Sequence, residues 1–206
     1  MKKLSLLLSV IMLVTLSLAA CGVKQPDFSP GEIENGVYTS EWLGLKFTPN
    51  EDMELANSDE LEMLMNTGSD VYYIDEATGE EMLDYSKLST VYDMLVTDLG
   101  TNGSILIMAQ YMDEEMTVDG YIESLKEQMA DQLAVEDLGE PTYDENKTEK
   151  LAGKKYTVFG YSLNSFGVEL KQTMYIREAG DRLVNICFTY STEEELNSFI
   201  NCFSKN

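Results

Sequence analysis

Histidine does not occur among the 206 residues of this chain. Its absence excludes Ser-His-Asp and Cys-His mechanisms, imidazole general bases and every zinc site that uses an imidazole ligand. Cysteine is scarce too: the three present are too few for a site of four thiolates. Positive charge is the third shortage, with 14 Lys and Arg against 37 Asp and Glu and a formal net charge of −23. That balance argues against nucleic acid as a partner, because binding it depends on lysine and arginine neutralising phosphates. No apolar run reaches the ~20 residues that a membrane-spanning helix needs. Also missing are GxGxxG, a phosphate-binding P-loop, a GxSxG elbow and an S-x-x-K pair. No cofactor is expected, and the chain does not read as an enzyme.

What is present starts with Lys2 and Lys3, an apolar run from Leu4 to Leu18, and the small residues Ala19 and Ala20 before Cys21. Charged, apolar, then small is the order of a secretory leader. The stretch from Leu18 to Gly22 resembles a bacterial lipobox, and the resemblance implies cleavage before Cys21 and a diacylglycerol thioether on its sulfur. Two acyl chains at ~0.8 kcal/mol per buried methylene suffice for stable anchoring. The expected organisation is a leader over 1–20, a flexible tether over 21–35 containing Pro26, Ser29, Pro30 and Gly31, and one globular domain over 36–206. Such a tether reaches about 20 Å. Loss of Lys2 and Lys3 with the leader makes the remainder more acidic still, so the body is repelled by anionic headgroups within ~8 Å. The expected location is extracytoplasmic, on the cell membrane.

Within the domain, Val37 to Glu41 and Leu45 to Thr48 read as two strands joined through Trp42, Leu43 and Gly44, and Pro49 stops the second. Ser58, followed by Asp59 and Glu60, predicts the start of a short helix with Leu61, Leu64 and Met65 at helical spacing. Residues 69–89 favour neither period. A strand from Thr90 to Thr97 and an apolar one from Ile105 to Met112 flank Asn102-Gly103, a strong hairpin signal. Thr117 caps a helix whose stripe is Val118, Tyr121, Ile122, Leu125 and Met129. Strands over Tyr156–Leu163, Val168–Arg177 and Leu183–Tyr190 form a meander. A last helix opens at Thr192 with Glu195 in capping-box spacing and carries Leu196, Phe199, Ile200 and Phe203. The class is α+β: an antiparallel sheet with helices on both faces.

The segments YTSEWLGLKFTP (Tyr38 to Pro49), LAGKKY (Leu151 to Tyr156) and GVELKQTMY (Gly167 to Tyr175), together with the last helix, resemble the PsbP-like fold. A photosystem accessory protein, a Ran-binding import factor and many bacterial lipoproteins share it. The resemblance covers residues 36–206 and implies the fold; it assigns no catalytic residue.

Several acidic groups invite a metal reading. Asp98, Gly100, Asn102, Gly103, Ser104 and Ile105 partly imitate a calcium loop, but Gly100 and Ala109 stand where oxygen ligands are required. Asp113, Glu114 and Glu115 read as complement to the following helix dipole, so no metal ligand is assigned. Cys187 and Cys202 could pair across a loop of about 15 residues, although buried free thiols fit better. Met63, Met65, Tyr72 and Tyr73 would supply a sticky surface, but core packing is the favoured use of such residues. The reading that remains is a noncatalytic module binding a protein or another envelope component; the alternative is an envelope hydrolase working with paired carboxylates. Cys21→Ser should move the protein from the membrane to the soluble fraction, as followed by fractionation and immunoblotting. Unchanged partitioning with lipid would refute the anchor.

Overall fold

The computed structural model describes residues 28–65, 72–74, 81–112, 116–136, 140–165 and 168–206. The leader, Cys21, most of the tether, the Asp113–Glu115 cluster and parts of the 69–89 segment lie outside them. In chain order the strands are β1 (Glu32–Glu34), β2 (Val37–Ser40), β3 (Leu45–Phe47), β4 (Met53–Leu55), β5 (Tyr72–Ile74), β6 (Glu81–Leu83), β7 (Thr90–Asp98) and β8 (Ser104–Tyr111). They continue as β9 (Thr142–Tyr143), β10 (Lys147–Leu151), β11 (Lys154–Ser165), β12 (Val168–Ala179), β13 (Arg182–Tyr190) and β14 (Phe203–Lys205). The helices are α1 (Ser58–Met65), α2 (Val118–Glu136) and α3 (Glu193–Asn201), with one 3-10 turn over Tyr85–Lys87.

An eight-stranded sheet in the order β10-β11-β12-β13-β8-β7-β4, with β9 beside β11, forms the centre. Every pairing in it is antiparallel. Alternation along its strands divides the core in two. Leu183 and Cys187 of β13, Leu106 of β8 and Phe159, Tyr161 and Leu163 of β11 face α2, whose stripe supplies Tyr121, Ile122, Leu125, Met129 and Leu133. Thr117 caps this helix, accepting from the Gly120 N–H at 3.1 Å. The opposite face carries Val184, Ile186 and Phe188 with Ile105, Ile107 and Tyr175. It is covered by α3, through Phe199, and by a second sheet of order β1-β2-β3-β14. Aromatic rings bridge the layers: Phe188 lies 5.9 Å from Phe203, which lies 5.0 Å from Phe47. Edge-to-face pairs of this kind add about 0.5–1.5 kcal/mol beyond their burial.

The α+β class and the helices on both faces are as the sequence predicts, and three details differ. The cap of α1 is Asn57, not Ser58: the Asn57 side chain accepts from the Glu60 N–H at 3.1 Å, and the Glu60 carboxylate accepts from the Asn57 N–H at 2.9 Å. The last helix ends at Asn201, and Phe203 opens β14, which pairs with β3 at Phe203↔Phe47. Its place in the i, i+7 series comes from facing the same core in another conformation. Ordered structure also starts before residue 36, since β1 pairs with β2 and Phe28 packs on Trp42 at 4.7 Å. Cys187 and Cys202 are free thiols. Cys187 points to the α2 face while Cys202 packs on the α3 side, so the large sheet separates them.

Glu195 locks α3 to the β7–β8 turn. One of its carboxylate oxygens accepts from the Ser191 N–H at 2.8 Å and the other from the Thr101 hydroxyl. Thr192 caps the same helix, accepting from the Glu195 N–H at 3.2 Å. Gly103 is required beneath, because a Cβ there would collide with the Glu195 carboxylate. Glu195→Ala should destabilise the protein by about 2–3 kcal/mol, since it removes two bonds to a charged acceptor and strands their donors. A chemical-denaturation midpoint equal to wild type would contradict this.

Candidate functional site

Strand β7 is interrupted where the site begins. Tyr92 pairs with Met108 and Met94 with Ile107, so two steps along β7 match one step along β8 and Asp93 is the extra residue of a β-bulge. A bulge re-aims side chains: Tyr92 faces the α2 side and Met94 the other. Asp93 is 5 % exposed, and both of its oxygens are engaged. Oδ1 accepts from the Gly31 N–H at 2.7 Å, and Oδ2 accepts from the Tyr38 hydroxyl at 2.5 Å. Burial pushes its carboxyl above the ordinary carboxylate range, against the lowering effect of these two donors. Burial also raises the Tyr38 hydroxyl, with the charge of Asp93 adding to it.

The arm 28–31 is thereby strapped across the domain. Gly31 lies so close to the Tyr38 ring that a Cβ would overlap it. Phe28 is held by Arg182, whose guanidinium sits 4.5 Å from its ring centroid. Arg182 is fully buried and donates to the carbonyls of Tyr85, Leu88 and Ala109 at 3.1, 3.3 and 3.4 Å. Burial lowers its pKa from the usual arginine value.

Between this arm and α1 lies a cleft of about 410 Å³, walled by Ile33 of β1, by Leu61, Glu62 and Met65 of α1, and by Tyr85, Tyr92 and Asp93. Its volume falls in the usual range of small-molecule sites. The Tyr72 hydroxyl donates to Glu62 at 3.2 Å. The Tyr85 hydroxyl is raised by burial and by the negative charges of Glu62 and Asp93. A second, more polar trough of about 290 Å³ runs between β10, β12 and α3. Two of its acids have cationic partners there: Lys147 meets Glu149 at 2.7 Å and Lys171 meets Glu193 at 3.5 Å. Lys147, then the Tyr175 hydroxyl at 2.5 Å, hold the Glu149 carboxyl below the usual range. An internal cavity of about 30 Å³ beside Asn185 and Gln172 has room for little more than a water.

The residues singled out from sequence fall as follows. Cys21 and Asp113–Glu115 lie outside the described residues. Asp98 accepts from the Gly100 and Thr101 N–H groups at 2.8 and 3.2 Å, closing the hairpin turn. Among the described residues no group of three acids or thiols is placed to hold a metal ion. Met65 lines the cleft, Met63 is 82 % exposed on α1, and Tyr72 bonds Glu62. Sequence reasoning missed Asp93; a lone acid inside the apolar run Val91 to Val96 was the available signal.

No protein-family model matches this chain, and no curated protein matches it. Among solved structures, it is similar to the solution structure of cyanobacterial PsbP (CyanoP) from Synechocystis sp. PCC 6803, with 92% of this chain and 99% of that one covered, 8% identity and a TM-score of 0.46. It is similar also to a protein from Bacteroides thetaiotaomicron, with 84% of this chain covered, 11% identity and a TM-score of 0.42. The match spans 49% of that protein's length. A third is LpqN of Mycobacterium tuberculosis, described as involved in cell envelope biogenesis, with 78% and 82% covered, 10% identity and a TM-score of 0.37. These likenesses concern fold alone, and the α+β class rests on the strand pairing itself.

Because Asp93 holds its proton more tightly folded than unfolded, its stabilising contribution is fully present below the ordinary carboxylate pKa. It is lost as pH rises through the raised value. Asp93→Asn should flatten that part of the profile, so that the denaturant midpoint of the variant gains on wild type as pH rises through this window. Parallel profiles would refute the assignment.

Proposed function

We propose that this chain is a lipid-anchored, extracytoplasmic binding module of the bacterial cell envelope, noncatalytic, and that it takes its partner at the cleft between the arm and α1. The observation that carries this reading is the position of the cleft. Pro30, Gly31 and Ile33 form one wall, and the chain leads back from Gly31 to Cys21 within ten residues. A group seated there touches the segment that continues toward the lipid, close to the envelope and on the side from which the body is tethered. The buried carboxylates serve structure: Asp93 holds the arm, Asp98 the hairpin turn and Glu195 the last helix. Asp93 and Glu195 have both oxygens committed to such duty, unlike a general base poised over a substrate.

A photo-crosslinking residue at Ile33, which lines the cleft and is 40 % exposed, should capture a discrete envelope species in intact cells. The same residue at Lys155, exposed on β11, should not. Identical capture at both positions would remove the cleft from the function.

One observation favours a second reading. Glu62 and Asp93 share the cleft, and Asp93 titrates high, the pattern sought for a hydrolase using paired carboxylates. Release of soluble fragments from purified envelope polymer by wild type, abolished in Glu62→Gln, would establish that alternative instead.

A further inference from the structure

Among the described residues, the charged side chains that line the arm–α1 cleft are Glu62 and Asp93, and no lysine or arginine lines it. The donors that hold Asp93 are neutral, a backbone N–H and a tyrosine hydroxyl. Arg182 contacts a neighbouring wall through the Tyr85 carbonyl, but its guanidinium is directed at backbone carbonyls and at the Phe28 ring. The polar trough differs in this respect, since a lysine, Lys147, lies among its acids and pairs with Glu149. Two carboxylates in a low-dielectric concavity focus a negative field into it. The remaining lining is suited to an apolar stem: Leu55, Leu61 and Met65 are apolar, and Tyr85 and Tyr92 add aromatic rings, a residue type that attracts cations.

We propose that the cleft binds a small organic ammonium, a positively charged nitrogen on an alkyl stem, with the nitrogen facing Glu62 and Asp93 and the stem against Leu55, Leu61 and Met65. The proposal rests on the reading of this cleft as the binding site and adds the chemical class of the ligand. An anion is disfavoured by both carboxylates. A neutral alcohol of the same length meets the same apolar wall and leaves the field unmet. A bare metal ion would leave the aliphatic wall unused.

Calorimetric titration of the full-length chain in lipid nanodiscs tests this with three probes of equal stem length: n-butylammonium, 1-butanol and pentanoate, each corrected with empty nanodiscs. The ammonium is expected to bind at least about tenfold more tightly than either other probe and to weaken with added salt. Glu62→Gln, on the half-buried side of a surface helix, should reduce its affinity by about tenfold. Glu178→Gln removes an equal charge at an exposed position elsewhere and should leave it unchanged, which separates the cleft from the general acidity of the protein. Equal affinity for all three probes, or equal losses in the two variants, would overturn the charge selectivity while leaving the cleft a binding site. Absence of binding by every probe would overturn the ammonium, whereas the cleft itself falls only if capture at Ile33 and Lys155 is identical.

Discussion

A single buried carboxylate joins the parts of this molecule that must stay in register. Asp93 bonds the arm through Gly31 and the second sheet through Tyr38, and it can do both because the bulge in β7 supplies one residue more than β8 can pair. Without that extra residue, the alternation of β7 would run on unbroken and no polar group would stand at the junction of arm, small sheet and large sheet. An ionised group at such depth is costly unless its lone pairs are met. The two neutral donors meet them, and the cleft exists in the space this arrangement holds open.

The arm is fastened at its other end by a charge of opposite sign. Arg182 is turned toward three carbonyl oxygens and the face of Phe28, which suits a planar, weakly hydrated guanidinium better than it would suit lysine. One ring and one glycine N–H thus pin a segment whose sequence, with two prolines and little periodicity, reads as a tether. Elsewhere the large sheet protects its margin in a familiar way: edge strand β10 carries Lys147, Glu149 and Lys150 along its exposed length, a pattern that discourages pairing with another chain.

The long elements were legible in the sequence because each carries enough residues to show its period. The β7–β8 hairpin followed from Asn102-Gly103, and Asn102 indeed adopts φ 64°. The stripe of α2 and the meander of β11, β12 and β13 were equally plain. Strands of three residues, such as β1, β4 and β14, are too short to display alternation, so their neighbours decide them. Phe203 shows why: spacing alone cannot tell a helical turn from the first residue of a strand that buries the same ring. The candidate site was less legible still. Asp93 looks like an ordinary solvent-facing strand residue until the register of β7 against β8 is known, and the arm can be recognised as a wall only once Gly31 and Phe28 have partners.

The two thiols of the folded body stand on opposite sides of the large sheet. Burial raises both, Cys187 to about 12, so the nucleophilic thiolate that drives exchange is scarce in each. The packing of the described residues on either face of that sheet therefore rests on no covalent bond between the two thiols.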